Sequence, residues 1–209
     1  MTSGLIIWVE GIIGAGKTTL AKLLAKSMNL QPMFEPVDNN PYLSKFYEDP
    51  KRWAFPMQMH LMHDRYAMQK EVAYAASRGR GAVLDRGMPG DRVFCKLHML
   101  AGNIHELEWQ TYQRAYEVMA CSLIPPSLLL FLDVEPEVAL ERVKERARDA
   151  EVTVDLKYLT DLRKGYLDLM AEIESGEHVW SRGMEVRRLP WNMDHQPIHP
   201  LVESLKHKL

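Results

Sequence analysis

Residues Gly11-Ile12-Ile13-Gly14-Ala15-Gly16-Lys17-Thr18 match the pattern G-x-x-x-x-G-K-[ST] at every defined position. The pattern limits the fold before it limits the chemistry. A strand must deliver the chain into a tight glycine turn whose amides converge on phosphate oxygens, and a helix must leave it with its N-terminal dipole aimed at the same anion. Both flanks read that way. Leu5 to Val9 is a short apolar run suited to a strand buried on both faces, and Thr18 to Met28 carries Leu20, Leu23, Leu24 and Met28 at helical spacing. The loop therefore predicts a nucleoside triphosphate held by Gly11, Gly14, Ala15, Gly16, Lys17, Thr18 and Thr19. In such a loop the lysine reaches the β and γ phosphates and the threonine hydroxyl ligates Mg²⁺.

Apolar strand-like runs recur between helical patterns: Leu5 to Val9, Pro32 to Phe34, Ala82 to Leu84, Leu128 to Val134 and Glu185 to Leu189. Strand alternating with helix predicts a parallel sheet covered on both faces. The expected architecture is thus α/β: a single three-layer domain over 1–209, with a five-stranded parallel sheet and its ligand at the carboxyl ends of the strands. A chain of 209 residues can bury about 70% of its unfolded surface in one such unit.

Charge and cysteine content narrow the class further. The 26 basic and 28 acidic residues leave a net charge of −2, so no overall basic field draws the protein to nucleic acid or to an anionic membrane. Cys95 and Cys121 are too few for a disulfide framework, which favours a reducing compartment. No basic segment precedes an apolar signal core, and no apolar run reaches membrane-spanning length, so a soluble cytoplasmic protein is expected. His60 and His63 lack a third ligand nearby, and Pro197 separates His195 from His199, so no transition-metal site is assigned.

Other chemistry-bearing residues fall near predicted strand ends. Glu35-Pro36 follows the second strand, where proline biases Glu35 toward extended backbone. A carboxylate there, ionised at neutral pH, could take the proton of an attacking hydroxyl. Asp85-Arg86 follows the third strand, where a phosphate-loop enzyme places a carboxylate near Mg²⁺. Arg142, Arg146 and Arg148 lie at the end of a helix that begins near Pro136. Gln58 and Arg65 are seven residues apart, on one helical face.

Taken together, the chain resembles the deoxynucleoside kinase family over nearly its whole length. The resemblance is greatest to the bacterial deoxyadenosine/deoxyguanosine kinase branch; the human deoxycytidine and deoxyguanosine kinases are more distant. It is carried by the phosphate loop, Glu35 to Pro41, Phe46 to Trp53, Phe55 to Gln58, Asp64-Arg65, Asp85-Arg86, Asp91-Arg92 and the arginine-rich segment Arg142 to Glu151. It implies an ATP- and Mg²⁺-dependent kinase that phosphorylates the 5′-hydroxyl of a deoxynucleoside, purine favoured and deoxycytidine next. Glu35 would be the general base, Lys17 and Arg86 would bear phosphoryl charge, and Thr18 with Asp85 would serve the metal. Tyr47 and Glu151 would hold the 3′-hydroxyl. Gln58 would face the base edge, and Arg65 paired with Asp91 would shape the end of the base pocket. Arg142, Arg146 and Arg148 would close a lid over about 142–152. The resemblance also implies a homodimer, through helices corresponding to Asp91–Leu100 and His105–Leu123.

Two departures bear on substrate identity rather than reaction type. Most relatives carry serine or threonine, a hydrophobic residue and an aromatic after Asp-Arg, whereas this chain reads Gly87-Met88-Pro89-Gly90. Cys95 stands where relatives usually place a phenylalanine against the base. Each motif has a plainer reading: Met57, Met59 and Met62 as core filler, the arginines as a solvated helix face, and the stripe Leu107, Thr111, Ala115, Val118, Met119, Ser122 as intramolecular core. The arginine-flanked loop Arg187 to Asn192 suits either the adenine of the donor or a cap on the core. Two rival functions stand beside the kinase reading. A thymidylate-kinase-like monophosphate kinase would carry an arginine before Glu35, where this chain has Phe34. A catalytically silent nucleotide-binding subunit would have no need of Lys17, Thr18, Glu35, Asp85 and Arg86.

Overall fold

The structure is a computed structural model that describes residues 4–34, 40–146, 154–181, 183–192 and 198–205. Its centre is a sheet of five parallel strands in the order β2-β3-β1-β4-β5. β1 spans Ile6–Gly11, β2 Gln31–Met33, β3 Ala82–Asp85, β4 Leu128–Asp133 and β5 Glu185–Pro190. The three inner strands are the apolar runs, because parallel strands covered on both faces need hydrophobic residues at every position. The edge strands β2 and β5 are more polar, and the acidic residues of the inner strands, Glu10, Asp85 and Asp133, stand at or next to their carboxyl ends.

Helices α1 (Lys17–Met28), α2 (Leu43–Glu48), α3 (Pro50–Ala76), α4 (Met88–Leu100), α5 (Glu106–Cys121), α6 (Pro136–Arg146), α7 (Leu156–Ser175) and α8 (His199–Leu205) surround the sheet. The 27-residue α3 starts where Asp49 accepts from the Arg52 amide and Pro50 occupies the first turn. Pro56 is accommodated further along the same helix. α7 starts at Asp155, whose side chain accepts from the Tyr158 amide, and stops at Gly176 in left-handed backbone.

The strand order reverses at β1, which lies between β3 and β4 although β3 and β4 are consecutive in sequence. Ligands of such sheets bind at this reversal, beyond the carboxyl ends of the strands. There the register pairs Val9 with Asp85 and Gly11 with Leu132, so the phosphate loop and the Asp85-Arg86 step leave the sheet side by side. No helix among the described residues is long and apolar enough to cross a membrane.

Two helical stripes differ from expectation. Leu23 is exposed, and the buried face of α1 is instead Leu20, Ala21, Leu24, Ala25 and Met28. On α5 the stripe Leu107 to Ser122 is split: Leu107 and Val118 are among the most exposed apolar residues, while Ala115 and Met119 are partly buried against the core. The core face of α5 is Trp109, Tyr112, Tyr116 and Ala120, whose aromatic rings stack along the helix.

Candidate active site

β1 delivers the chain to Gly11, and the loop then turns through left-handed backbone at Gly14 (φ 79°) and Gly16 (φ 89°). Side chains fit neither position well: a Cβ on Gly14 would press into the Ala139 carbonyl, and one on Gly16 would lie 3.3 Å from the Trp191 indole nitrogen. Gly16 caps α1 without a side-chain acceptor, so the first amides of the helix face the loop, as an anion site requires. Lys17 folds over the turn and donates to the Ile12 carbonyl at 2.7 Å. The Thr18 hydroxyl donates to the Asp85 carboxylate, joining the β1 and β3 loops.

These two oxygen donors suit Mg²⁺. Among the described residues no group of three or more His, Cys, Asp or Glu side chains could cage a metal alone. A hard ion at Thr18 and Asp85 would complete its shell with phosphate oxygens and water, as Mg²⁺ characteristically does.

Arg86 follows with φ 79°, a conformation that a non-glycine residue keeps only where its surroundings enforce it. Its amide donates to the Val9 carbonyl at 3.0 Å, and its guanidinium donates to the Tyr166 hydroxyl and lies over the Phe94 ring. The next amide, Gly87, donates at 2.7 Å to the carboxylate of Glu10, a fully buried residue of β1. Tyr166 donates to the other Glu10 oxygen at 3.0 Å. Burial pushes the Glu10 carboxyl above its ordinary range, against the opposing pull of Arg86, the Gly87 amide, Tyr166 and Lys17. Burial likewise raises the Tyr166 hydroxyl well above a free phenol.

This packing accounts for the unusual Gly87-Met88-Pro89-Gly90 turn. A Cβ on Gly87 would meet the Trp8 ring at 2.8 Å, and one on Gly90 would meet both Glu10 Oε2 and the Tyr166 hydroxyl at 2.5 Å. Gly87 caps α4, and Met88, Pro89 and Gly90 form its first turn.

A second buried polar group joins three helices. Arg65 of α3 pairs with Asp91 of α4, and Tyr112 of α5 donates to the same carboxylate. Gln58 lies two turns before Arg65 and is also buried; its Oε1 has no hydrogen-bond partner among the described residues. Cys95, one turn beyond Asp91, is sealed in the core, and burial raises its thiol. Met57 and Met62 are core residues, as their plainer reading had it.

The sequence model of the family described as deoxynucleoside kinase matches residues 7–189, which includes all of these groups. The chain belongs to the deoxynucleoside kinase family. A deoxyadenosine kinase of Dictyostelium discoideum is 38% identical over 189 residues, spanning 90% of this chain and 73% of that protein. A deoxyadenosine/deoxycytidine kinase of Bacillus subtilis is 35% identical over 164 residues, 77% of this chain and 74% of that one. A solved deoxyadenosine kinase from M. mycoides, with the products dCMP and dCDP bound, shares the fold: its TM-score is 0.80 over 98% of each chain, at 24% identity.

The arrangement has two parts: the phosphate loop with Asp85 and Arg86 at the ends of β1 and β3, and the buried polar group of α3, α4 and α5. Tyr47 of α2 is partly exposed and lies near Tyr158 of α7, whose hydroxyl is raised by burial, lowered by Arg86 and raised again by Tyr47. Arg142 of α6 donates to the Trp191 carbonyl at 3.1 Å, and Trp191 in turn lies against Gly16. Trp191 packs against the core and flanks the phosphate loop. Glu35, Arg148 and Glu151 lie outside the described residues, as does the lid beyond Arg146. A cavity of about 660 Å³ between α4 and α7 is lined by Arg92, Lys96, Lys157, Asp161 and Lys164 among others, and by none of the expected site residues. Sequence reasoning missed Glu10, Tyr112 and Tyr166. The signal available for Glu10 is a lone carboxylate in an otherwise apolar strand; the two tyrosines have none.

Proposed function

We propose that the chain transfers the γ-phosphoryl group of ATP to the 5′-hydroxyl of a purine deoxynucleoside, with deoxyadenosine foremost. The observation that carries this reading is the convergence, at the ends of β1 and β3, of the phosphate loop, the Thr18–Asp85 pair and Arg86, beside a buried Gln58, Arg65 and Asp91. The partnerless Gln58 oxygen supports base recognition, since an amide offers one acceptor and one donor, as an adenine edge requires. The charge at the end of the pocket is already neutralised by the Arg65–Asp91 pair, which suits an uncharged base.

In this reading Glu35 accepts the proton of the 5′-hydroxyl, and Tyr47 with Glu151 holds the 3′-hydroxyl. Lys17, Arg86 and the arginines Arg142, Arg146 and Arg148 spread the phosphoryl charge as the acceptor oxygen closes in line. Gly11, Gly14, Ala15, Gly16, Thr18 and Thr19 present amides and hydroxyls to the donor phosphates. Thr18 and Asp85 hold Mg²⁺, which when bound neutralises charge on those oxygens. Cys95, smaller than phenylalanine, leaves the base pocket shaped by helix packing. The exposed part of the α5 stripe is offered as part of a homodimer face, and the site of action as the cytoplasm.

The experiment is Glu35→Ala. Turnover should fall by roughly 10²- to 10⁴-fold while deoxyadenosine binding, measured by calorimetry, changes little. Near-normal turnover would remove Glu35 from the role of base.

A further inference from the structure

We propose that Glu10 and Tyr166 are positioning residues for phosphoryl transfer, forming a buried strut that holds the Arg86 guanidinium and its left-handed backbone in place. The inference rests on the reading of Arg86 as a phosphoryl-binding residue.

The polarity of the strut is forced. Arginine can only donate, so the Tyr166 oxygen accepts from Arg86 and its own proton must go to an acceptor, which is Glu10 Oε2 at 3.0 Å. The second Glu10 oxygen accepts from the Gly87 amide at 2.7 Å, and the Val9 carbonyl accepts from the Arg86 amide at 3.0 Å. β1 therefore grips both sides of the strained residue, with one backbone oxygen and one side-chain oxygen. The Tyr166 ring is fixed independently of any ligand. It stacks on Phe131 of β4 at 5.8 Å and meets Phe94 of α4 edge-on at 6.4 Å, the same ring that Arg86 covers.

Two further observations favour positioning over plain stability. Glu10 and Tyr166 are both fully buried, and an apolar pair of similar volume would fill the space without the desolvation cost of a carboxylate. The space is also reserved: a Cβ on Gly90 would collide with the Glu10 oxygen and the Tyr166 hydroxyl alike, so the turn after Arg86 is fitted around the strut. Strain at φ 79°, a buried hydrogen-bond chain ending on that same residue, and a glycine that keeps the chain intact together describe a held side chain.

Tyr166→Phe is the cleanest test, because it deletes one oxygen and keeps both ring contacts. With Mg²⁺-ATP and deoxyadenosine, kcat should fall about 10- to 100-fold, with both KM values within about threefold of the parent and a little-changed melting temperature. A kcat within twofold of the parent would overturn the proposal. Glu10→Gln should lose a similar factor, because its single amide oxygen cannot accept from both the Gly87 amide and the Tyr166 hydroxyl. The double variant should lose no more than the worse single one, and independent, multiplying losses would overturn a shared strut. Arg86→Lys separates the two readings. If it loses turnover while Tyr166→Phe does not, the strut fails and the role of Arg86 stands. If Arg86→Lys keeps its turnover, the reading of Arg86 fails and the proposal falls with it.

Discussion

The phosphate end of this kinase and its proposed base end are built from different materials. At the phosphate end, eight consecutive residues supply the turn, its amides, the lysine and the threonine, and Asp85 joins them through the Thr18 hydroxyl. At the proposed base end, Gln58 and Arg65 come from α3, Asp91 from α4 and Tyr112 from α5, all buried, and side chains join Arg65, Asp91 and Tyr112. A site made of backbone is fixed by conformational rules, above all by glycines where φ is positive. A site made of side chains from three helices is fixed by packing and by mutual satisfaction of charge. The first should fail locally when one residue changes, and the second should fail as a unit.

The largest expected effect falls at the base end. Arg65→Met would leave the Asp91 charge buried with Tyr112 as its remaining partner among the described residues, and should cost about 3–5 kcal/mol in urea unfolding while relaxing base preference. An unchanged substrate ranking would remove Arg65 and Asp91 from the base pocket. Lys17→Ala at the phosphate end should lower kcat by roughly 10²- to 10³-fold with little change in stability, the reverse signature. A fold damaged more than its turnover would blur the contrast. Gly14→Ala attacks the backbone itself. Its φ of 79° and the adjacent Ala139 carbonyl should make the change cost about 1–3 kcal/mol, with weakened nucleotide binding in a titration.

Acid should find the base end first. Burial holds His98 and His178 neutral, both pushed down to about 4; Arg92 lowers His178 further, while Glu172 opposes. His98 packs on Phe46, the neighbour of Tyr47, and His178 bonds to Tyr116, which stacks on Tyr112. In the unfolded chain such imidazoles titrate near 6.5, so below that pH the unfolded state binds more protons. Stability should be fully present above about pH 6.5 and fall toward pH 4, by up to about 1.4 kcal/mol per pH unit for each histidine. Urea melts between pH 7.5 and 4.5 check this, and a flat profile would contradict it.

The same division decided what could be read in advance. The phosphate loop, the five parallel strands and the Asp85-Arg86 step were legible because each is a contiguous pattern with a local cause. The Glu10–Tyr166 contact spans 156 positions and obeys no period, so nothing in the sequence spacing reports it. The Leu107 to Ser122 stripe of α5 was ambiguous for a related reason. Two faces of that helix carry apolar residues; the aromatic one, Trp109, Tyr112 and Tyr116, stacks into the core, and the other reaches it through Ala115 and Met119 alone among its members. Leu23 shows the limit of spacing from the other side, since a helical period marks a face but not how far the neighbouring elements cover it.

The most direct test of the account is a phosphoryl-transfer assay with Mg²⁺-ATP against deoxyadenosine, deoxyguanosine, deoxycytidine, thymidine and the 5′-monophosphates of each, side by side. The account predicts monophosphate product from the nucleosides, with the highest kcat/KM for a purine and deoxyadenosine foremost. Product from a monophosphate alone would contradict it and favour a thymidylate-kinase-like enzyme, and no transfer to any acceptor would contradict it in favour of a nucleotide-binding subunit.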